Sequence, residues 1–296
     1  MARAHLLRGG LALAVVGALA APAMAQGQTQ PLTVKKISSN VYVAFGGGGN
    51  SGIIIGKDGV IIVDTKTSKD YGEELLAEVA KLTPKKVTDV FLTHSDGDHV
   101  NGLAAFPAGL TIVAQENCKK EMEAAIAAGG RGAPPADRLP NRVVTRPVET
   151  MTLQGITFQV HHWAPAHTSG DLVVYLPSEK IVFTGDIIAA QLQDPIIHVE
   201  KHGSSEGWIT TMKGILGLGA TQFIPGHGDP QTRTEVQARL DRVAAKRAAI
   251  IKLINEGKTL AEIEKAEGDA VPAGGQRPRF PSLSEVVYQE VTGKKM

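Results

Sequence analysis

The chain is poor in cysteine and in net charge. A single cysteine, Cys118, cannot form an internal disulfide. The 31 Lys and Arg residues are balanced by 30 Asp and Glu residues, and no basic patch of the kind that nucleic-acid binding requires is present. A chain of 296 residues buries roughly three quarters of its unfolded surface, so it folds without disulfides. We expect Cys118 to be a buried small residue rather than a reactive thiol, and we expect no nucleic-acid partner.

An apolar run near the N-terminus, residues 11–21, is too short for a membrane-spanning helix, which needs about 20 residues. Two arginines precede this run, and Ala-Met-Ala follows at 23–25, which is the pattern of a secretory signal peptide. We predict that residues 1–25 are cleaved before Gln26. The protein is then periplasmic or secreted, with no stable membrane insertion after cleavage. The alternative is a membrane anchor.

The remaining chain alternates strand-like and helix-like segments without an internal repeat, which predicts an α/β fold. A strand is predicted over 86–92, an amphipathic helix over 70–82 and a long charged helix from Thr232. We predict one domain over residues 32–255, followed by a C-terminal helical extension over 256–296.

Two glycine-rich stretches interrupt this pattern. Residues 46–52 contain four consecutive glycines but no following Gly-Lys-Ser/Thr, so this stretch is not a phosphate-binding P-loop. It is either a plain hairpin turn or a loop beside a functional site. Residues 129–140 are too rich in Gly and Pro for a helix or strand, and form either a mobile lid or a surface linker.

The segment 93–99, Thr-His-Ser-Asp-Gly-Asp-His, carries four side chains that can bind a metal: His94, Asp96, Asp98 and His99. It follows the strand predicted over 86–92, and α/β sheets often bind ligands at the carboxyl ends of strands. Imidazole and carboxylate ligands without thiolates suit zinc, iron or manganese.

Three further candidate ligands adjoin apolar strand-like runs: His167, Asp186 in Gly-Asp, and His227 in Pro-Gly-His-Gly. Four other histidines are kept out of the ligand set. Neighbouring residues on a strand point to opposite faces, so at most one of His161 and His162 faces the site. For the two in the segment after Asp186, His198 and His202, we expect ordinary surface roles.

Over residues 32–254 this ordered set, His-x-Asp-x-Asp-His, His, Gly-Asp and Pro-Gly-His-Gly, resembles the metallo-β-lactamase-fold superfamily. The resemblance implies an αβ/βα four-layer sandwich and two divalent metal ions. It assigns the first ion to His94, Asp96 and His167, the second ion to Asp98, His99 and His227, and the bridging position to Asp186.

One position departs from the pattern, because most members of this family have a second histidine where this chain has Asp96. In having a carboxylate at this position the chain resembles the flavodiiron branch, whose members have Glu there and bind iron. We expect zinc ions, with iron or manganese as alternatives. Thr93 and Thr168 are candidates to orient the ligating groups.

The function that follows is an exported dinuclear metal-dependent hydrolase acting on a small molecule. A bound zinc ion lowers the pKa of water from about 15.7 to about 7, which makes hydroxide available at neutral pH. Asp98 is predicted to bind a metal and to accept a proton from the nucleophile. The bond is an amide, lactam, ester, thioester or lactone, and a β-lactamase is one named alternative.

Two other classes stay open. An iron-dependent redox enzyme, flavodiiron-like or persulfide-dioxygenase-like, would need an outside electron source, because this chain has no flavin-binding domain. A catalytically silent metal-binding protein is less consistent with an intact set of seven ligands. The sequence does not indicate an oligomeric state.

Overall fold

The computed structural model describes residues 1, 31–129, 133–271 and 280–294, and two β-sheets form its centre. The strands of the first sheet are β1 (Thr33–Lys36), β2 (Val41–Phe45), β3 (Ser51–Ile55), β4 (Val60–Val63), β5 (Val87–Phe91), β6 (Thr111–Gln115) and β7 (Arg142–Val144). They lie in chain order, with antiparallel pairing from β1 to β4 and parallel pairing from β4 to β7.

The second sheet contains β8 (Val148–Leu153), β9 (Ile156–His161), β10 (Val173–Leu176), β11 (Ile181–Ala189) and β12 (Gln222–His227). Its order is β12-β11-β10-β9-β8, and only the β11–β12 pairing is parallel. The sequence places Asp186 beside a strand-like run, whereas β11 continues through this residue. The register of β11 shifts at Gly185, which has a φ of 53°. Glycine adopts this left-handed conformation without a steric penalty.

Seven α-helices lie in the described segments: α1 (Lys69–Leu82), α2 (Gly97–Val100), α3 (Glu116–Ala127), α4 (Ser205–Gly217), α5 (Arg233–Asn255), α6 (Leu260–Glu267) and α7 (Leu283–Thr292). Short 3-10 helices span Asn101–Ala105, Ala136–Arg138 and Val199–Lys201. Hydroxyl side chains cap most of the longer helices; Thr232 and Glu235, for example, form a capping box at the start of α5. Among the described residues, no helix has both the length and the apolar character needed to cross a bilayer.

The two sheets pack face to face through a continuous apolar core. Val43, Ile61 and Phe91 of the first sheet belong to the same buried cluster as Phe158 and Val174 of the second. The rings of Phe91 and Phe158 lie 5.0 Å apart between their centroids. Alternate side chains of a strand point to opposite faces, so each sheet also has an apolar outer face to cover.

Helices cover both outer faces, which gives the predicted four-layer αβ/βα sandwich. On the first sheet, Leu75 and Val79 of α1 pack with Ile62. On the second sheet, Trp208 of α4 is fully buried in a cluster that also contains Val287 of α7. Helices α6 and α7 come from the predicted C-terminal extension and pack on this same core, while the domain boundary at 255 stays a prediction. Apart from residue 1, the predicted signal peptide lies outside the described residues, as does part of the 129–140 excursion.

Candidate metal centre

The fold brings all seven predicted ligands together where strands of both sheets end. His94 follows β5, and Asp96 immediately precedes the short helix α2, which contains Asp98 and His99. The other three lie in the second sheet or its loops: His167 between β9 and β10, Asp186 within β11, and His227 as the last residue of β12.

One group of side chains surrounds Asp96. Its Oδ2 atom lies 3.8 Å from Nε2 of His94 and 3.2 Å from Nε2 of His167. Oδ2 of Asp186 lies 4.0 Å from each of these two nitrogens. Ligand atoms of a tetrahedral zinc with bonds of 2.0–2.1 Å are about 3.3 Å apart, so these separations leave room for one ion.

A second group surrounds Asp98. Its Oδ2 atom lies 3.0 Å from Nε2 of His227, which in turn is 3.4 Å from Nε2 of His99. Asp186 also faces this group, with Oδ1 at 3.2 Å from Nε2 of His99 and Oδ2 at 3.4 Å from Nε2 of His227. Asp186 therefore lies between the two groups, in the position that a bridging ligand requires.

The hydrogen bonds of the histidines fix which nitrogen faces the centre. Nδ1 of His167 is 2.8 Å from the carbonyl oxygen of Ile196, and Nδ1 of His99 is 2.8 Å from Oδ2 of Asp64. Both partners can only accept, so in the neutral rings the proton is on Nδ1 and the Nε2 lone pair points to the centre. Protons or metal ions must then separate these lone pairs from the carboxylates.

Asp64 connects the two histidines of segment 93–99, although it lies outside every predicted ligand motif. Thr93 donates to Asp64 from its backbone nitrogen (2.8 Å) and from its hydroxyl (2.7 Å). Since that hydroxyl donates its only proton to Asp64, it accepts from Nδ1 of His94 at 2.9 Å. The suggestion that Thr93 orients a ligand is consistent with this geometry. Thr168 instead contacts Asp171, which also accepts from the backbone nitrogen of Ala166.

The charges of the centre are strongly coupled. Burial and the neighbouring His99 hold the pKa of His94 well below its usual value. Burial also opposes charge on His167, but its hydrogen bond to Asp96 prevails and raises its pKa to about 9. Burial acts in the same way on His227, where hydrogen bonds to Asp186 and Asp98 raise the pKa to about 9. The same carboxylates that attract protons to these rings would attract divalent cations.

His198 corrects the expectation of a surface role. It is buried, with 7% of its surface exposed, and its Nε2 atom lies 3.0 Å from Oδ2 of Asp96. Lys201, three residues on, forms an ion pair with Oδ1 of Asp96 and donates to the hydroxyl of Ser95 at 3.0 Å. No periodicity or motif marks either residue in the sequence.

The other residues that were not predicted to bind metal lie outside the ligand groups. His161 stacks on Trp163, with ring centroids 4.6 Å apart, and Nδ1 of His162 contacts the carbonyl oxygen of Asp171 at 2.8 Å. His202 is exposed and has a φ of 56°. Cys118 is fully buried, and burial raises the pKa of its thiol well above the usual value, as expected of an unreactive cysteine.

The glycine-rich loop is both a hairpin turn and a wall of the centre. It connects the antiparallel strands β2 and β3, and the backbone nitrogen of Gly49 donates to the carbonyl oxygen of Asp98 at 3.1 Å. A Cβ atom on Gly49 would lie 2.2 Å from Cε1 of His99. Only glycine permits this approach of the backbone to the imidazole.

A cavity of about 910 Å³ opens onto the centre. Its lining includes five of the predicted ligands, the polar residues Asn101, Gln191 and Lys201, and the apolar residues Leu192, Ile196 and Phe280. This volume is within the range of small-molecule sites. The lining thus combines charged groups with apolar ones.

The residues present fit a pair of divalent metal ions. Nε2 of His94 is buried and has no hydrogen-bond partner among the described residues, and the buried Nε2 of His198 faces Oδ2 of Asp96. Three groups of three residues could each hold an ion. Each residue offers one ring nitrogen or carboxylate oxygen, and within a group these atoms lie within 4.8 Å of one another. Such donors suit zinc, iron and manganese.

Comparison with known proteins gives a family match. A family model described as the metallo-beta-lactamase superfamily matches residues 44–227, which include all seven predicted ligands. A linear primary-alkylsulfatase of a Pseudomonas species is 23% identical over 252 residues, covering 70% of this chain and 47% of that protein. This chain therefore spans about half the length of that relative.

Other relatives have different activities. The alpha subunit of a 2,4-dinitroanisole O-demethylase from a Nocardioides species is 22% identical over 263 residues, covering 86% of this chain and 77% of the subunit. A type 2 metallo-beta-lactamase of Bacillus cereus is 23% identical over 229 residues, covering 72% of this chain and 83% of that protein.

Solved structures agree on the fold. A stereoselective inverting sec-alkylsulfatase from a Pseudomonas species superposes with a TM-score of 0.72 at 21% identity, covering 88% of this chain and 50% of that chain. A metallo-beta-lactamase from Pontibacter korlensis superposes with a TM-score of 0.59 at 23% identity, covering 72% of this chain and 99% of that chain. At these identities the likeness shows the fold alone.

Proposed function

This chain belongs to the metallo-beta-lactamase superfamily, and we propose that it is an exported hydrolase that holds two divalent metal ions, zinc in the first instance. Its substrate is a small molecule with an ester or amide bond: a sulfate ester, carboxylic ester, thioester, lactone, amide or lactam. The observation that carries the proposal is the position of Asp186, whose two oxygens face His99 and His227 on one side and His94 and His167 on the other.

Hydrolysis at this centre would need an activated water and a group that accepts its proton. Two bound divalent ions would supply a water that ionises near neutral pH and would polarise the oxygen of the scissile bond. Asp98 is about one-third exposed at the cavity, so it is the carboxylate we assign to hold the attacking water and accept its proton. Burial raises the pKa of Asp98, but His227 and His99 outweigh it and lower that pKa below the usual value, which keeps the carboxylate ionised.

Substrate preference follows from the two kinds of residue that line the cavity. Lys201 lies at its wall beside Asp96 and has an ammonium group that can hold an anionic substituent. Leu192, Ile196 and Phe280 lie on the lining and can bury an apolar chain or ring. An ester that joins an anionic group to an apolar one matches both, and an alkyl sulfate is such an ester.

The test starts from metal content. The full chain, purified without added metal, should contain about two zinc ions by elemental analysis. It should then hydrolyse at least one member of a panel of sulfate esters, carboxylic esters, thioesters, lactones and β-lactams. Chelator, His99→Ala and His227→Ala should each abolish turnover, whereas His202→Asn at the exposed histidine serves as the matched control. A zinc-loaded protein that is inactive on the whole panel would contradict the proposal.

An iron-dependent redox enzyme is the second candidate, and Asp96 favours it. A carboxylate at this position makes the first group richer in oxygen ligands, which suits iron as well as zinc. Iron as the metal retained in the same elemental analysis would favour this candidate over the hydrolase.

Export is part of the proposal, on the pattern of residues 1–25 alone. N-terminal sequencing of protein recovered from a periplasmic or culture fraction should begin at Gln26. Recovery of the intact N-terminus from a membrane fraction would instead support the anchor.

A further inference from the structure

We infer that His198 is an additional metal ligand, which binds the first ion together with Asp96 and His167. This inference rests on the proposed metal centre but does not depend on which bond the enzyme breaks. It adds a fifth imidazole to the four that the sequence motifs predict.

The position of His198 satisfies the first requirement of a ligand, which is distance. Its Nε2 atom lies 3.0 Å from Oδ2 of Asp96, the oxygen that also faces His167 at 3.2 Å. The rings of His198 and His167 lie 4.8 Å apart at an angle of 85°, so their Nε2 atoms converge on Asp96 from different directions. The ligand atoms of these three residues form one of the three groups that could hold an ion.

The hydrogen bonding of His198 satisfies the second requirement, which is orientation. Its Nδ1 atom is bound to the carboxylate of Glu200, which can only accept, so in the neutral ring the proton is on Nδ1. A carboxylate behind a histidine is the arrangement that orients many metal-binding imidazoles. His99 has the same arrangement through Asp64, and His167 has a carbonyl in this position.

His198 is also held rigidly and kept from water. Its backbone nitrogen donates to the carbonyl oxygen of His167 at 2.9 Å, which fixes the two ligands relative to each other. The edge of its ring meets Phe280, with centroids 5.0 Å apart. With the ring proton on Nδ1, its buried Nε2 lone pair faces Oδ2 of Asp96 at 3.0 Å, and this contact between two acceptors is costly unless a cation lies between them.

The ion pair between Lys201 and Asp96 explains why an additional metal ligand is useful. Lys201 forms an ion pair with Oδ1 of Asp96, so that carboxylate offers only Oδ2 to an ion. The ammonium group also withdraws negative charge from the carboxylate and weakens it as a donor. An imidazole at His198 restores a strong neutral donor to this group.

The test counts imidazoles directly, without measuring activity. The full chain, labelled with nitrogen-15 in histidine, is loaded with the NMR-active isotope of cadmium as a surrogate for zinc. Five Nε2 resonances split by cadmium are expected, from His94, His99, His167, His198 and His227. His198→Ala should then show four. Only four split resonances in the native chain, with the same four in His198→Ala, would overturn the inference, whereas no split resonance in the native chain would overturn the metal centre itself.

A binding measurement tests the same inference by a second route. His198→Ala should lower zinc affinity at one of the two sites by about 100-fold or more, beyond the 10–100-fold that loss of a hydrogen bond to a ligand typically causes. His202→Asn, at an exposed histidine four residues away in a left-handed conformation that Asn tolerates, should bind both ions as the native chain does. Unchanged affinity in His198→Ala would contradict the role of His198 as a ligand.

Discussion

The imidazole of His99 and the carboxylate of Asp64 are joined by a hydrogen bond of 2.8 Å, in which Nδ1 of the ring is the donor. The same Oδ2 atom accepts from the hydroxyl of Thr93, and Oδ1 accepts from the backbone nitrogen of Thr93. One buried carboxylate therefore orients His99 directly and His94 through Thr93. Both groups of the metal centre depend on it.

Asp64→Asn is expected to weaken zinc binding by about 10–100-fold, because an amide cannot accept all three hydrogen bonds. Whichever way the amide is turned, its NH₂ group faces a donor of Thr93 or His99, and the buried mismatch should cost about 1–3 kcal/mol of stability. The φ of 60° at this position is tolerated by Asn, so backbone strain does not confuse the result. Competition with a chromophoric chelator would measure the affinity.

Asp89→Asn is the matched control, because Asp89 is also buried and accepts hydrogen bonds from Thr88 (2.8 Å) and Gln154 (2.9 Å) away from the centre. Both bonds end on Oδ2, which an amide oxygen can replace, so this variant should retain its metal. Equal zinc affinity in both variants would show that Asp64 has no part in orienting the ligands.

Gly49→Ala is expected to remove one ion per chain. The new Cβ atom would lie 2.2 Å from Cε1 of His99, so the imidazole must move away from the second group. Gly217→Ala, where the new Cβ meets nothing within 4 Å, is the control and should retain both ions. Elemental analysis after dialysis would compare them, and full metal content in Gly49→Ala would mean that the loop yields instead of the ring.

The seven predicted ligands could be singled out from sequence because each one lies in a short motif that adjoins a strand-like run. His94 and Asp98 lie in one such motif, and His227 lies between two glycines that allow a tight turn. The motifs mark the residues, and the order of the strands in the two sheets brings them to one metal centre. The four-layer architecture was predicted from the resemblance of these motifs to the metallo-β-lactamase-fold superfamily.

His198, Lys201 and Asp64 could not be found in this way. His198 and Lys201 lie in a segment without periodicity, whose path is set by long-range contacts such as the hydrogen bonds from Arg239 to the carbonyl oxygens of Ala190 and Leu192. Asp64 had a different signal, because it directly follows β4, which pairs in parallel with the strand β5 that leads to His94. Parallel neighbours end at the same edge, so a polar residue there was a candidate.

Zinc should stabilise the fold strongly, because the centre joins elements of both sheets. Ligand at about 1,000 times its dissociation constant adds about 4 kcal/mol of unfolding free energy per site. With a shift of about 2–4 °C per kcal/mol, one site alone should raise Tm by about 8 °C or more. Scanning fluorimetry with chelator and with zinc would measure this, and His99→Ala should show a clearly smaller rise. Identical Tm values with and without zinc in the native chain would contradict the metal centre.

Lys66 gives the stability of the protein a pH dependence. Its side chain is fully buried, and its Nζ atom donates to the carbonyl oxygens of Ala44 (2.6 Å) and Gly49 (2.8 Å). Burial lowers the pKa of Lys66 to about 7, and the nearby carboxylates of Asp64 and Glu74 oppose the shift only in part. Between pH 7 and the ordinary lysine pKa of about 10.4, the unfolded chain binds a proton that the folded chain does not.

Stability contributed by this residue should therefore rise with pH across that window and be constant below it. Relative to Lys66→Met, the unfolding free energy of the native chain should increase by up to about 1.4 kcal/mol per pH unit from pH 7 to 10. Urea unfolding of both proteins in chelator, at steps of one pH unit, would give the difference free of metal binding. A difference that stays flat above pH 7 would mean that Lys66 keeps its proton in the folded protein.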